Sequence, residues 1–164
     1  MAKGKGRQKP ASRSRPVIVF DPCNPYGSGP NKNGWHADFV TDDWEAFKKL
    51  FWSSRECLAV LDEFADVCEA DQKQARMIMR RGRHQGHDII VISQDWMGIE
   101  KQARGQVNQL FCFRQRDKYA AIEQDWIDAA GISDAVQRID RFHYFDIARG
   151  REPKRGVVPH KKHW

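Results

Sequence analysis

The sequence predicts an α/β protein in which a mostly parallel β-sheet is flanked by helices. Three β-branched, apolar runs have the pattern of strands that are buried on both faces, namely Pro16–Phe20, Cys57–Leu61 and Asp88–Ile92. Helical patterns separate them, and strands that alternate with helices at this spacing favour parallel pairing. Asp21, Asp62 and Ser93 follow the three runs. Because ligands gather at the carboxyl ends of parallel strands, we expect the functional site there.

Helices and two further strands complete the predicted element order. The first helix begins at Thr41 or Asp42, which are good N-caps, and continues through Phe51. A loop rich in Asn, Pro and Gly is predicted before it. The later elements are helix Asp71–Arg83, helix Ile99–Val107, strand Leu110–Phe113, helix Asp117–Ala130 and strand Arg141–Ile147. We expect the first of these strands to play the same role as the three apolar runs.

Positive charge is concentrated at the two ends of the chain. Residues 1–16 carry a charge of +6, and residues 149–164 carry +5. Because the whole chain has a net charge of +6, residues 17–148 carry −5. We predict a flexible basic arm at 1–16, an α/β domain at 17–148 and a flexible basic tail at 149–164. Such arms suit contacts with a phosphate backbone, and the candidates in the first arm are Lys3, Lys5, Arg7 and Lys9. Alternatively, basic arms aid solubility or contact an acidic partner.

Hydropathy and cysteine usage indicate the compartment. No apolar run approaches the ~20 residues needed to span a bilayer, and the basic start lacks the apolar region of a secretory signal. The four cysteines are scattered without metal-ligand spacing, which predicts reduced and mostly buried thiols. We therefore expect a cytoplasmic protein, in a host cytoplasm or inside a phage particle.

The strongest motif is an acidic pair at the end of an apolar strand. The sequence Cys57-Leu-Ala-Val-Leu-Asp62-Glu63-Phe64 resembles the Walker B motif of the P-loop ATPases that have an additional strand and a catalytic glutamate. The resemblance implies that Asp62 orients water bound to Mg²⁺ and that Glu63 polarises the water that attacks the γ-phosphate. Alternatively, acidic residues at this position cap the next helix.

The residues that follow resemble the FtsK and HerA family, which includes viral genome-packaging ATPases and zonula-occludens-toxin-like phage assembly proteins. A helix leads into Arg80-Arg-Gly-Arg-His-Gln-Gly-His87, and the next strand ends in Ser93-Gln94. The resemblance implies that Gln94 is a sensor of the γ-phosphate, since a neutral amide can hydrogen-bond both a phosphate oxygen and the lytic water. It covers roughly residues 16–148.

The chain departs from this family in one large respect. No Gly-x-x-x-x-Gly-Lys-Ser/Thr segment occurs in the sequence, so the nest of backbone N–H groups and the lysine that bind phosphates are missing. The expected fold is a P-loop NTPase-like core without its first strand, phosphate loop and helix. ATP and Mg²⁺ are the implied cofactors. Three explanations remain: a separate chain supplies the loop, the sequence is truncated at its N-terminus, or hydrolysis is lost and a structural role is kept.

Several arginines are candidates for contacts with DNA or nucleotide. Arg76, Arg80 and Arg83 fall on one predicted helix face with Arg81 beside them. This ridge could contact DNA, reach a neighbouring subunit's nucleotide as an arginine finger, or form ion pairs with nearby acids such as Asp71.

Three residues near strand ends have less specific roles. Arg114 and Arg116 follow a predicted strand and are candidates for an arginine finger or sensor. Trp96, just after the glutamine, could stack on a base, although aromatic residues in such loops more often pack internally.

Three functions are compatible with the sequence. The leading hypothesis is an ATPase-like subunit of a DNA-translocating or phage genome-packaging and assembly machine, unable to bind ATP alone and assembled as a homo-oligomeric ring or with a second chain. The first alternative is a non-catalytic DNA-binding structural module. The second is a Mg²⁺-dependent nuclease or topoisomerase-primase-like domain that uses Asp21, Asp62 and Glu63 as metal ligands.

Overall fold

A computed structural model describes residues 15–114 and 131–158 of the chain. The strands are β1 (Val17–Phe20), β2 (Phe39–Thr41), β3 (Leu58–Leu61), β4 (Asp88–Val91), β5 (Gln109–Cys112), β6 (His143–Ala148) and β7 (Lys154–Val157). The helices are α1 (Trp44–Ser53), α2 (Phe64–Ala70), α3 (Gln72–Arg81), α4 (Lys101–Arg104) and α5 (Ile132–Arg138), with a 3₁₀ turn at Gly82–Gln85. The predicted helix Asp117–Ala130 lies outside the described residues.

The first sheet is parallel and has the strand order β2-β1-β3-β4. Phe20 pairs with Leu61, and Leu61 pairs with Val91, so the carboxyl ends of three strands meet at one edge. The prediction of a mostly parallel sheet flanked by helices is confirmed. Its geometry places the residues that follow β1, β3 and β4 side by side.

The two faces of this sheet are covered unequally. Ala59 and Leu61 of β3 belong to the main core, which is built with aromatic residues of α1 and α2. Phe47, Phe51 and Phe64 are all 0% exposed, and burying each contributes about 1.5–3 kcal/mol relative to leaving it in water. The second face is covered by a smaller cluster that comprises Val19, Ala37, Val40 and Val60, with Val17, Trp35 and Leu58 packed against it.

Helix α1 is capped by Asp43 rather than by the predicted Thr41 or Asp42. Asp43 Oδ1 accepts hydrogen bonds from the N–H groups of Glu45 (2.9 Å) and Ala46 (3.1 Å). Thr41 is instead the last residue of β2, and its hydroxyl accepts a bond from the N–H of Asp43 at 3.0 Å. The predicted N-cap is wrong because the sequence pattern does not reveal the short strand β2. Thr41 belongs to this strand, so the helix begins later than predicted.

A second sheet is antiparallel and has the order β5-β6-β7. The predicted strand at 110–113 does form, but it pairs antiparallel with β6 (Leu110 with Ile147) instead of joining the parallel sheet. A short apolar run does not identify its partner or its direction. The second sheet nevertheless shares the main core, since Cys112 of β5 and Ile147 of β6 both belong to it.

The tail predicted to be flexible from residue 149 contains β7. Gly156 pairs with Tyr144, and Lys154 pairs with Asp146. Arg151 and Asp146 also form an ion pair at 2.6 Å. The prediction of a flexible tail is wrong for these residues, because charged side chains on an exposed edge strand conceal the alternation that identifies a strand.

Three of the four cysteines are buried and all four are free, as predicted. Burial raises the pKa of Cys112 to about 12, which keeps this thiol protonated and unreactive. Cys57 Sγ lies 3.1 Å from His87 Nδ1 in the core. Within residues 15–114 and 131–158, no helix combines the length and the apolar character that crossing a membrane requires.

Candidate functional site at the carboxyl edge of the parallel sheet

Strand pairing continues past the last residues of β3 and β4. The N–H of Asp62 donates to the carbonyl of Phe20 at 2.9 Å, and the N–H of Phe64 donates to the carbonyl of Ile92 at 2.8 Å. These bonds fix the backbone on which the predicted catalytic residues stand. We call the edge formed by Asp21, Asp62, Glu63, Ser93 and Gln94 the carboxyl rim.

Glu63 and Gln94 are in direct contact across the rim. Gln94 Nε2 donates to Glu63 Oε1 at 2.8 Å, although the residues are 31 positions apart. Glu63 also has a left-handed backbone, with φ 47° and ψ 47°, and its side chain makes no capping bond to α2. That conformation costs a residue with a Cβ roughly 1–2 kcal/mol. Glu63 is therefore held towards Gln94 at the expense of backbone strain, and it does not act as a helix cap.

Asp62 lies beside this pair in a concentration of negative charge. Its Oδ1 accepts from the N–H of Glu63 at 3.0 Å. Burial raises the pKa of the Asp62 carboxyl, the bond from Glu63 N–H works against this, and the neighbouring carboxylates of Asp21 and Glu63 raise it further. A divalent cation would relieve this repulsion, and a carboxylate is a donor that Mg²⁺ prefers. Asp62 therefore fits a role as a Mg²⁺ ligand through water.

Asp21 is buried and structural. Its side chain is 1% exposed, and its Oδ2 accepts from Asn33 Nδ2 (2.6 Å) and Trp35 Nε1 (2.9 Å). Its Oδ1 accepts from the N–H of Cys23 at 3.0 Å. Both oxygens thus hold the loop between β1 and β2. In the described part of the chain, no group of three His, Cys, Asp or Glu side chains is placed to hold a metal ion.

An open cleft of about 870 Å³ adjoins the Glu63–Gln94 pair. Its charged lining residues are Glu63, Asp66, Glu69, Asp95, Glu100, Lys101 and Arg104. Five carboxylates therefore face two cations, and one of these, Arg104, is 7% exposed with its guanidinium 5.7 Å from the ring centre of Trp96. The cleft fits a cation, but its described residues do not fit the phosphates of a nucleotide without further positive charge.

Three residues in or near the cleft change the sequence interpretation. Trp96 is 7% exposed and packs in the main core, so the suggested stacking on a base is wrong. Lys101 and Arg104 were not singled out, although two basic residues on the helix after Gln94 were a visible signal.

The candidate arginines lie at the opposite edge of the sheet. Helix α3 leads into the 3₁₀ turn, where the carbonyl of Gln85 accepts from the N–H of Glu56 at 3.0 Å, just before β3 begins. Arg80, Arg81 and Arg83 are exposed there, and none forms an ion pair within residues 15–114 and 131–158. We call these three residues the amino-edge arginines.

Distance separates the amino-edge arginines from the rim. Gln94 is six positions after Asp88 in the sequence, which corresponds to about 20 Å of extended strand. These arginines therefore do not reach the rim of their own chain. Arg76 is not part of this exposed group, because it hydrogen-bonds Gln72 (3.3 Å) and Gln102 (3.4 Å).

Other predicted binding residues are only partly within the structure. Arg114 is exposed and follows β5. Arg116 lies outside the described residues, as do the first-arm candidates Lys3, Lys5, Arg7 and Lys9. The proposed pairing of the helix arginines with Asp71 does not occur, since Asp71 binds Lys48 (3.2 Å) and Trp44 Nε1 (3.1 Å).

No family model and no curated protein matches the sequence. The fold is similar to that of the genome packaging NTPase B204 of Sulfolobus turreted icosahedral virus 2. Its AMPPCP complex is 17% identical with a TM-score of 0.65, over 89% of this chain and 83% of that chain. Its ATP-gammaS complex is 15% identical with a TM-score of 0.64, over 90% and 84%.

A further structure of similar fold is B204, described as the DNA-packaging ATPase from Sulfolobus turreted icosahedral virus. It is 14% identical with a TM-score of 0.61, over 89% of this chain and 84% of that chain. Identities this low establish a likeness of fold. The chain therefore has an α/β fold of the P-loop NTPase type.

Proposed function

We propose that the chain is an ATPase-like subunit of a machine that packages or translocates DNA, with its nucleotide site at the carboxyl rim. The observation that carries the proposal is the 2.8 Å hydrogen bond from Gln94 to Glu63, which joins the two expected catalytic residues across adjacent strands. The fold supports it, since B204 is described as a genome packaging NTPase and has structures with AMPPCP and ATP-gammaS.

Glu63 is the proposed general base. Its Oε1 accepts from Gln94, which leaves Oε2 to accept a hydrogen bond from a water molecule and to take its proton. The left-handed backbone of Glu63 and the amide of Gln94 together orient the carboxylate before substrate arrives. Such preorganisation lowers the cost of reaching the reactive geometry.

Asp62 is the proposed Mg²⁺ residue, acting through a bound water. Burial raises the pKa of this carboxyl, and the neighbouring carboxylates of Asp21 and Glu63 raise it further; a bound cation would offset the repulsion from these two neighbours. When bound, Mg²⁺ and ATP supply the phosphoryl group and the charge that stabilises its transfer. Because the sequence has no glycine-rich phosphate loop, we propose that the chain does not bind ATP alone.

The amino-edge arginines are the proposed DNA contacts. Arg80, Arg81 and Arg83 are exposed on one end of the sheet, and each cation that contacts a phosphate releases counterions and adds affinity without sequence preference. Arginines that contact phosphates in this way suit a protein that must move along DNA of any sequence. Lys3, Lys5, Arg7 and Lys9 remain predicted contacts, and Arg114 and Arg116 remain candidates for an arginine finger or sensor between subunits.

The test of the proposed function is Glu63→Gln. This change keeps the size of the side chain but removes the base, so DNA-stimulated ATP hydrolysis should fall by at least ~10²-fold. DNA affinity should be unchanged. The measurement uses complexes that are purified from the natural source through a tag on this chain.

The matched control is Glu69→Gln, which alters an exposed carboxylate of the same cleft and should leave hydrolysis unchanged. If Glu63→Gln also leaves it unchanged, the ATPase proposal is wrong and the DNA-binding structural module takes its place. Incubation with plasmid DNA and Mg²⁺ decides the nuclease alternative, because nicking that disappears in Asp62→Asn would support it.

A further inference from the structure

The outer face of the second sheet carries a cluster of aromatic rings. Cys112 of β5 and Ile147 of β6 belong to the main core, and since side chains alternate along a strand, Phe111 and Tyr144 lie on the opposite face. Their ring centres are 5.6 Å apart. Phe113, just after β5, lies on the same face, with its ring centre 5.8 Å from that of Tyr144. We call Phe111, Phe113 and Tyr144 the aromatic face.

The two phenylalanines of the aromatic face are open to solvent. Phe111 and Phe113 are 52% and 47% exposed, although phenylalanine is one of the residues most often buried. Their rings meet that of Tyr144 at 71° and 51°, so neither is stacked face to face on it. Residues two apart on a strand are separated by about 7 Å. Each phenylalanine therefore offers its own apolar surface to a flat group.

Tyr144 supports the cluster from within the sheet. It pairs with Gly156 of β7, and its ring lies so close to this glycine that a Cβ at position 156 would collide with it. An aromatic ring that covers a glycine on a neighbouring strand has a structural role. This packing accounts for the position of Tyr144, but it does not explain why Phe111 and Phe113 are exposed beside it.

The surroundings of the aromatic face are basic. Residues 149–164 carry a net charge of +5, and they include β7, an outer strand of this sheet. Asp146 is the only acidic residue in β5, β6 and β7, and Arg151 neutralises it through an ion pair at 2.6 Å. Lys154 is exposed and pairs in register with Asp146. The charge next to the rings therefore suits an anionic ligand.

The combination of aromatic rings and cations identifies the chemical class of this ligand. Nucleobases stack on aromatic side chains while cations contact the phosphates between them. In a duplex the bases are paired and stacked on each other, so a single strand is the form whose bases can reach the rings. Interfaces between proteins are depleted in lysine, and a protein partner would need acidic groups to match this end of the chain.

We propose that the aromatic face binds single-stranded nucleic acid, with bases stacked on Phe111 and Phe113 and a phosphate beside Lys154. The inference goes beyond the proposed function, because it does not depend on ATP hydrolysis or on the carboxyl rim. It adds a surface that contacts bases to the amino-edge arginines, which would contact phosphates alone. Stacking of this kind is tolerant of sequence, because every base has a flat face.

The first experiment separates contacts to bases from contacts to phosphates. Fluorescence anisotropy measures the affinity of the full chain for a labelled oligothymidylate and for an abasic strand of the same length and charge. At equal salt, oligothymidylate should bind at least ~10-fold more tightly, since only this strand has bases that can stack. Equal affinities would overturn the proposal.

The second experiment removes the exposed rings. The double variant Phe111→Ala and Phe113→Ala should bind oligothymidylate ~10–10²-fold more weakly than the parent chain, and its affinity for the abasic strand should be unchanged. The double variant Phe111→Tyr and Phe113→Tyr keeps both rings and should retain the parent affinity. Tyr26→Ala, which removes a 65% exposed ring from the loop between β1 and β2, is the matched control and should have no effect.

The folding of these variants is checked by their thermal unfolding midpoints, which should remain close to that of the parent because the altered side chains are exposed. An equal loss of affinity for the two strands in the alanine variant would overturn the proposal, since it would show an indirect effect on phosphate contacts.

The third experiment locates the bound strand. An oligothymidylate that contains 5-iodouracil is irradiated with the full chain, and the adducts are mapped by mass spectrometry. We expect adducts at residues 109–113 or at Tyr144. Adducts confined to other segments would overturn the proposal. A protein occupant predicts a different result, in which the two strands bind equally and the alanine variant loses a copurifying polypeptide.

Failure of this inference is distinguishable from failure of the proposed function. Replacing the amino-edge arginines should weaken the binding of oligothymidylate and abasic strands alike, whereas the alanine variant of the aromatic face should affect oligothymidylate alone and leave duplex binding intact. If Glu63→Gln leaves hydrolysis unchanged, the proposed function is wrong and the aromatic face is unaffected. If the parent chain binds both strands equally, the aromatic face is wrong and the proposed function stands.

Discussion

The two ends of the parallel sheet carry opposite charge and different kinds of order. At the carboxyl rim, Glu63 and Gln94 are joined by a hydrogen bond, and Asp62 is held by a backbone N–H. At the amino edge, Arg80 and Arg83 extend into solvent. The rim is therefore organised for one geometry, whereas the amino edge offers charge without fixed geometry. This difference is what chemistry on one ligand and sequence-independent contact with another would require.

The same contrast holds for backbone strain. Glu63 at the rim and Glu56 before β3 both have left-handed backbones, with φ of 47° and 51°. At the rim, the left-handed backbone of Glu63 occurs together with a side-chain hydrogen bond to Gln94. The backbone conformation directs the Glu63 carboxylate towards this partner. Within residues 15–114 and 131–158 the side chain of Glu56 forms no hydrogen bond or ion pair, so strain there follows from the turn alone. Substitutions at the two ends should therefore have separable effects.

A large loss of hydrolysis is also expected for Gln94→Ala. Removing the amide leaves the carboxylate of Glu63 without the donor that orients it, so hydrolysis by the tagged complex should fall by ~10²-fold. DNA affinity should not change, because the amino-edge arginines lie at the opposite edge of the sheet. Gln72→Ala, which alters another glutamine of the same cleft, is the control. Equal losses in both variants would mean that the pair has no special role.

The second prediction concerns the amino edge. Replacing Arg80, Arg81 and Arg83 together with alanine should weaken DNA binding by ~10–10²-fold at low salt. It should also reduce the slope of log K against log salt by up to ~2.7, or about 0.9 for each phosphate that is no longer neutralised. The double variant Arg151→Ala and Arg155→Ala removes arginines that are already ion-paired and should do much less. An unchanged salt slope in the triple variant would place the DNA-binding surface elsewhere.

The third prediction compares glycine at the two strained positions. Glu63→Gly and Glu56→Gly should each stabilise the fold by about 1 kcal/mol, since glycine adopts positive φ without a Cβ penalty. Only Glu63→Gly should abolish hydrolysis, because only Glu63 contacts Gln94. Urea unfolding and the hydrolysis assay measure the two effects. A loss of activity in both variants would show that strain, rather than the carboxylate, matters.

The sequence was sufficient to predict the rim because its residues follow strongly apolar strands. Continuous aliphatic runs identify strands buried on both faces, and parallel pairing then brings their ends together. The Asp62-Glu63 pair and Gln94 could therefore be placed at one edge from the residue pattern alone. Their hydrogen bond could not be predicted, because it depends on the left-handed conformation of Glu63, which a sequence pattern does not encode.

The elements that were missed lack a strong local signal. Strand β2 has three residues and follows a loop, so Phe39–Thr41 offers no measurable alternation. Helix α2 begins at a residue that makes no capping bond, so no capping signal marks its start. Asp21 is a candidate metal ligand only in the nuclease alternative, but its partners Asn33 and Trp35 come from the following loop. Such contacts depend on how the loop folds back.

The smallest expected effect is a pH-dependent gain in stability in Asp62→Asn. Burial, with help from the carboxylates of Asp21 and Glu63, raises the pKa of Asp62 above its ordinary value of 3.8. The folded chain therefore binds this proton more tightly than the unfolded chain. The resulting stability is fully present below pH 3.8 and is lost as pH rises through the higher pKa of the folded state.

The Asp62→Asn variant has no ionisable group at position 62, and the amide Oδ1 of the new side chain can still accept the hydrogen bond from the N–H of Glu63. Its unfolding midpoint should therefore rise relative to the parent chain between pH 4 and pH 7, with the gap smallest at the acidic end. A difference of about 1 kcal/mol shifts the midpoint of a chain of this size by about 2–4 °C, which thermal unfolding resolves. The matched control is Asp66→Asn, an exposed carboxylate of the same cleft. An equal difference in unfolding midpoint between the variant and the parent at pH 3 and at pH 7 would show that the rim does not repel negative charge. The contrast between the two ends of the sheet would then depend on the arginines alone.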